Sequence, residues 1–300
     1  MKIRLGEPSF VSIQGEGGYR VGVLSVWTRF FGCNLRCPGF FQKDPTNPAT
    51  YVDPLKGVDP KQYKNVFELP VVEYGCDTIY GIDPRFKHCA YNYESEQKLV
   101  DEILDKLPGG RFKHATTKQT YDWCLTGGEP LMNQKAIIAL YEEMYKRDNF
   151  PFDIQIESNG TQQLSEAFQN LIIETSIGRE LGVTEWFWSF SPKLHSVSGE
   201  PSERAWKPEC IKQAYDVNPK GWLKVVVNDT ELAWQELSTK MAELRAMGVN
   251  FPVFVMGVGA TKQQQEDTSV IARIANRAIA EGYHFSGRLH CTIWGNTAGV

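Results

Sequence analysis

Apolar positions recur along the chain with two periods. Residues 21–31, VGVLSVWTRFF, are a run of β-branched and aromatic residues and predict a strand. From residue 93 a helical period takes over. YESEQKLVDEILDKL (93–107) sets Leu99, Val100, Ile103, Leu104 and Leu107 on one face. Short apolar runs then alternate with helical segments. Strands are predicted at 121–127, 151–160, 185–193, 222–229, 251–257 and 288–294, and helices over 131–147, 162–181, 230–247 and 262–281. Thr261 and Gln264 match a capping box ahead of the last helix, and Gly282 suits its C-terminal cap. This alternation predicts an α/β fold of parallel strands covered by helices. The strands read as near-continuous apolar runs, as expected where helices shield them. Chemistry in such folds gathers at the C-terminal strand ends. The polar motifs GCNLRC (32–37), TGGEP (126–130), ESNGT (157–161), SPK (191–193) and VND (227–229) all fall there.

One stretch breaks the pattern. Residues 38–75 hold six of the chain's 16 prolines. Proline fixes φ and removes backbone donors, so this stretch predicts loop with at most a short helix. It reads as an insertion within a single domain spanning 1–300, near a functional site or serving as a partner-binding flap.

Composition narrows the classes. With 42% hydrophobic residues, 23% charged residues and a net charge of -4 over 300 residues, the chain is neither disordered nor suited to broad nucleic-acid binding. It has no apolar run long enough for a membrane helix, and MKIRLGEPSF lacks the apolar core of a signal peptide. Seven cysteines are an odd number without a secretion signal, which favours a reducing, cytoplasmic setting over a disulfide framework. The eight tryptophans read as core.

Cys33 and Cys37 share a glycine-bordered loop just after a strand, a spacing that lets two thiolates ligate one metal centre. By spacing alone the centre is either an iron–sulfur cluster or a closed zinc site of Cys33, Cys37, Cys76 and Cys89. Cys89, Cys124, Cys210 and Cys291 carry no motif, and Cys124 and Cys291 read as small apolar residues within strands.

GCNLRC, then CDT (76–78), then TGGEP resembles the radical S-adenosylmethionine (SAM) superfamily. There three cysteines in a CxxxCxxC run hold a 4Fe-4S cluster and leave one iron open to SAM. Here the third position is Phe40, which cannot ligate iron. CNLRC…CDT is the broken form of CNLRCxxCDT, and the break coincides with the proline-rich segment. The resemblance therefore implies Cys33, Cys37 and Cys76 as ligands, with Cys89 a rival for the third place. FVSIQGEG (10–17), Arg29, CDT, ESNGT and SPK keep one order, and from about residue 9 onward the chain resembles the 7-carboxy-7-deazaguanine synthase family.

That resemblance implies a partial (β/α)6-type TIM barrel, open on one side, in a family that commonly forms homodimers. It implies a carbon–nitrogen lyase that contracts 6-carboxy-5,6,7,8-tetrahydropterin to 7-carboxy-7-deazaguanine with loss of ammonia. The cofactors would be a 4Fe-4S cluster, SAM and Mg2+, with flavodoxin or ferredoxin as electron donor. The reduced cluster would cleave SAM to a radical that takes hydrogen from C6 of the pterin. Ile13, Gln14, Gly15, Arg29 and Thr126 match substrate contacts, with Arg29 forked onto the substrate carboxylate. The resemblance implies Gln14, Glu16 and Arg29 as the catalytic set. Gly127, Gly128, Glu129, Glu157, Ser158, Asn159, Ser191, Pro192 and Lys193 match SAM contacts, the glycines allowing close backbone approach to a ligand. Thr78 matches an Mg2+ ligand. His290, beside apolar residues in the last predicted strand, reads as a core histidine. Two other functions share parts of the pattern. GCNLRCPG also resembles the cluster loop of glycyl-radical activating enzymes, and Phe40 would suit a non-catalytic cluster- or zinc-binding regulatory protein.

Overall fold

Two short strands, β1 (Ile3–Leu5) and β2 (Phe10–Ile13), run antiparallel to β3 (Leu24–Phe30), and β4 (Tyr91–Tyr93) runs antiparallel to β1. Beyond β3 every neighbour is parallel. The order is β3, β5 (Asp122–Gly127), β6 (Asp153–Ser158), β7 (Glu185–Phe190), β8 (Gly221–Val227), β9 (Val253–Gly257) and β10 (His284–Phe285). The structure is a computed structural model and describes residues 1–259, 261–295, 297 and 299. Its helices are α1 (Glu96–Lys106), α2 (Gln134–Lys146), α3 (Glu166–Ile177), α4 (His195–Ser198), α5 (Ser202–Ala205), α6 (Pro208–Val217), α7 (Glu231–Ala246), α8 (Lys262–Gln265), α9 (Thr268–Ala280) and α10 (Leu289–Trp294).

A strand sends alternate residues to opposite faces. Trp123 and Leu125 of β5, Ile154 and Ile156 of β6, Trp186 and Trp188 of β7, and Leu223 and Val225 of β8 pack with helix residues such as Leu99, Leu140, Phe168 and Leu237 in one core. The intervening positions of the same strands carry Asp122, Thr126, Gln155, Glu157, Ser189 and Lys224. Helices therefore shield one face only, and the other face is polar. Cys124, Trp222, Phe254 and Met256 also occupy intervening positions, and they conceal the alternation in the sequence.

The polar face is sealed at the N-terminal strand ends. Arg20 forks onto buried Asp122 (2.5 and 2.6 Å) and stacks over Phe187 at 4.6 Å, and Gln155 donates to Asp122 at 2.8 Å. The loop after β2 links the two margins of the sheet. Glu16 forms a β-bridge with Arg288, Leu289 N donates to Gly15 O (2.7 Å), and Gly17 N donates to Ser286 Oγ (2.8 Å). At Gly17, φ is +64° and a Cβ would strike the Lys224 side chain, so glycine is required at this crossing.

Two expectations change. Residues 288–294 form α10 rather than a strand, so His290 and Cys291 lie on a helix. The helix expected over 262–281 is two, α8 with the expected capping box and α9 capped by Asp267. Segment 38–75 contains only single 3-10 turns, each opened by an Asn or Asp cap: Asn47, Asp59 and Asn65. Replacing Asp122 by Ala leaves buried Gln155 without its acceptor and Arg20 without its fork. We expect a loss of about 3–5 kcal/mol in denaturant unfolding of the apoprotein.

Candidate active site

A cavity of about 470 Å³ opens at the C-terminal ends of the parallel strands, and the polar motifs converge on it. Cys33, Cys37 and Cys76 all line it, and they pack together with Leu35, Phe40 and Ala205. One backbone hydrogen bond explains this meeting. Gly75 N donates to Phe40 O at 2.8 Å, so the intervening chain leaves and returns at one point. Cys76 thereby stands next to Phe40, the position at which an uninterrupted motif would carry its third cysteine. The inserted chain lies at the cavity, where Val66, Leu69, Pro70, Val71 and Val72 form part of the wall.

Cys89 is elsewhere. It packs with Leu55 and Phe86, and its thiol faces Tyr63 O at 3.6 Å. A four-thiol zinc site including Cys89 is therefore not assembled. Burial raises all three cavity thiols, Cys76 to about 11, and Cys76 and Cys33 each add to the rise at Cys37. Lys193 opposes the rise at Cys33 and Cys37. Among the described residues no three metal-binding side chains form a ready-made cage. The thiols are engaged locally instead, Cys33 Sγ with Leu35 N (3.3 Å) and Cys76 Sγ with Thr78 Oγ1 (3.1 Å). Three thiols on one wall suit a four-iron cluster with one iron left for another ligand.

The glycine pair of TGGEP lines the cavity and also packs against the protein itself. A Cβ on Gly127 would strike Phe30 O, and one on Gly128 would strike Gly32 O and lie 2.7 Å from Cys33 Cβ. The close approach is between the end of β5 and the cysteine loop. Glu129 is fully buried and does not line the cavity. Its carboxylate accepts from Leu131 N (3.0 Å), Ser158 Oγ (2.8 Å) and Asn159 N (2.7 Å). Burial pushes its pKa up to about 7 against those donors. Glu129 thus fixes the end of β6. Asn159 in turn reaches Asn34 Oδ1 at 3.0 Å, and Lys193 donates to Ser191 Oγ at 2.8 Å. Ser158, Asn159, Ser191 and Lys193 line the cavity, and Pro192 does not.

The opposite wall is a charge network. Lys224 on β8 bridges Glu16 (2.7 Å) and Glu157 (3.2 Å), and Arg288 bridges Glu16 (2.7 Å) and Asp77 (3.3 Å). Burial favours neutral Glu16, but Lys224 and Arg288 outweigh it and hold the carboxyl well below the usual range. Glu157 also accepts from Thr126 Oγ1 (3.1 Å) and Gln14 Nε2 (3.2 Å). Gln14 is fully buried, its amide spent on Gln155, Glu157 and the Glu16 N–H. It holds other groups in place rather than offering free donors. Arg29 lies opposite Thr126, with Nε on Glu7 at 2.6 Å. Burial disfavours the Arg29 charge, but Glu7, Glu157 and Asp77 raise its pKa overall. Among the described residues its two terminal nitrogens make no hydrogen bond. His290 is not a core residue. It lines the cavity, packs on Gly15, and burial lowers its pKa.

Residues 13–175, more than half of the chain, match the family described as "4Fe-4S single cluster domain". The chain belongs to this 4Fe-4S single cluster family. Proteins named 7-carboxy-7-deazaguanine synthase are similar to it over nearly their whole length. That of Hyperthermus butylicus is 24% identical over 95% of this chain and 90% of its own. That of Leptospira interrogans is 21% identical over 97% and 95%, and that of Pyrobaculum aerophilum 21% over 97% and 94%.

Within this 4Fe-4S member, Glu7, Lys224, Arg288 and Glu200 escaped the sequence reading. Lys224 had a signal, a lone charge inside the apolar run WLKVVV. The others sit in loops without a motif. Two variants test the split cysteine set. After anaerobic reconstitution, Cys76→Ala should hold much less iron and sulfide per chain than the parent. Cys89→Ala should hold the parent amount.

Proposed function

We propose that the protein is a radical SAM enzyme, a carbon–nitrogen lyase that contracts 6-carboxy-5,6,7,8-tetrahydropterin to 7-carboxy-7-deazaguanine and releases ammonia. One observation carries the reading: three thiols of a split motif meet on a cavity whose other wall presents Arg29 beside a buried charge network. The names of the full-length relatives support the same chemistry. In this reading the parallel strands form the superfamily's partial (β/α)6-type barrel, with the chain's own loop across its open side.

When bound, the cluster and SAM would supply the one-electron chemistry that begins the rearrangement. The protein's part is to bind, orient and exclude water. Cys33, Cys37 and Cys76 would hold three irons once deprotonated, and Lys193 offsets some of the cost of those charges. Ser158, Asn159, Ser191 and Lys193 would hold SAM, with Glu129 fixing Ser158 and Asn159 from behind. Arg29 would keep Nε on Glu7 and turn its free terminal nitrogens to the substrate carboxylate. Glu16, tied by Lys224 to Glu157, would face the pterin ring, while Glu157, held by Thr126 and Gln14, would stay with the SAM contacts. Thr78 begins a 3-10 turn without using its hydroxyl as a cap. Its oxygen, with Asp77 nearby, would serve Mg2+. A flavodoxin- or ferredoxin-type donor, a homodimer and a cytoplasmic setting accompany the reading. Nucleic acid and membranes have no part in it, and among the described residues no helix is long and apolar enough to cross a membrane.

Reconstituted, reduced protein given SAM and the pterin without oxygen should form 7-carboxy-7-deazaguanine and ammonia. A chain that holds a full cluster and binds SAM yet forms neither product would overturn the proposal. Arg29→Lys loses the forked contact, and kcat/KM should fall about 10- to 100-fold.

A further inference from the structure

We propose that Glu200, in the turn after α4, is a positioning residue that shapes the cysteine loop and sets the charge beside it. The proposal rests on the reading of Cys33, Cys37 and Cys76 as cluster ligands. Glu200 is 1% exposed, and its Oε1 accepts from two successive backbone N–H groups, those of Arg36 and Cys37. Cys37 has φ of +48°, a conformation that residues with a side chain rarely adopt. Something must hold it there, and among the described residues its N–H donates to this carboxylate alone, at 2.7 Å.

The turn that carries Glu200 is itself fixed. Glu200 N donates to Ser198 Oγ (3.2 Å), and Glu200 O meets His195 Nδ1 (3.0 Å). The same turn grips the loop beyond Cys37, since Gly39 N donates to Ser198 O at 2.8 Å. A Cβ on Gly39 would come within 2.6 Å of Gly199 N. On the near side Arg204 donates to Asn34 O at 2.8 Å. The loop is thus clasped at 34, 36, 37 and 39 by a segment more than 150 residues away.

The second carboxylate oxygen points to more than a structural clasp. Among the described residues Oε2 is buried with no hydrogen bond, and its nearest cation is Arg204 at 3.9 Å. A neutral acceptor could satisfy the two N–H groups without that cost. That carboxylate lies directly against the cysteine loop, since it accepts the Cys37 N–H at 2.7 Å. A fixed negative charge beside a cluster disfavours its reduced, more negative form and so lowers its reduction potential.

The test uses the full chain as wild type, Glu200→Gln and Glu200→Ala, reconstituted anaerobically. The readouts are iron and sulfide per chain, iron loss to a chelator, an EPR-monitored redox titration, and apoprotein melting. Glu200→Gln keeps an acceptor for both N–H groups, so it should hold the parent complement but be reduced at a more positive potential. Glu200→Ala should lose iron to the chelator about 10-fold more readily. A Glu200→Ala chain that retains its cluster like the parent would overturn the positioning role. An unchanged potential in Glu200→Gln would overturn the charge role, even if the alanine variant fails to fold. A wild-type chain that takes up no cluster would overturn the underlying reading, and the proposal with it.

Discussion

The site depends on one short crossing of the backbone. Three thiols must stand on one wall, yet 38 residues separate the second from the third. The bond from Gly75 N to Phe40 O resolves this, because it makes the inserted chain a closed excursion with a single point of exit and return. Loop-closure entropy rises slowly with length, so an excursion whose ends are pinned is tolerated in a folded domain. The insertion then adds material to the cavity wall without displacing the cysteine that follows it.

The rest of the site is built by the same rule of holding functional groups from behind. Gly127 and Gly128 let the end of β5 pack against the cysteine loop, and Glu129 fixes the end of β6. Arg20, Asp122, Gln155 and Gln14 form a buried chain of hydrogen bonds running from the sealed end of the sheet to Glu157. Such networks are costly when incomplete and rigid when every member is satisfied. The loop across Glu16 and Arg288 ties the sheet margins together and adds charge to the same wall.

Much of this was legible in the sequence, for physical reasons that differ by element. The long strands and helices announced themselves by period, and the motifs fell at the strand ends, where the cavity is. RLHCTIW (288–294) was read as a strand because so short a stretch carries no period that separates strand from helix. The break between α8 and α9 was missed because the cap at Asp267 interrupts an otherwise helical pattern. The polar inner face was hidden by Cys124, Trp222 and Met256, which are apolar at positions that face the cavity side. Glu200 could not be read at all, since its importance lies in a contact with residues 163 and 164 positions away.

The central claim is that the split motif supplies three thiolates to a four-iron cluster and leaves one iron open. Mössbauer spectroscopy of the 57Fe-reconstituted protein, with and without SAM, tests it most directly. The account predicts a four-iron cluster in which one iron site changes when SAM is added. A spectrum of four irons that SAM leaves untouched, or no four-iron cluster at all, would contradict it.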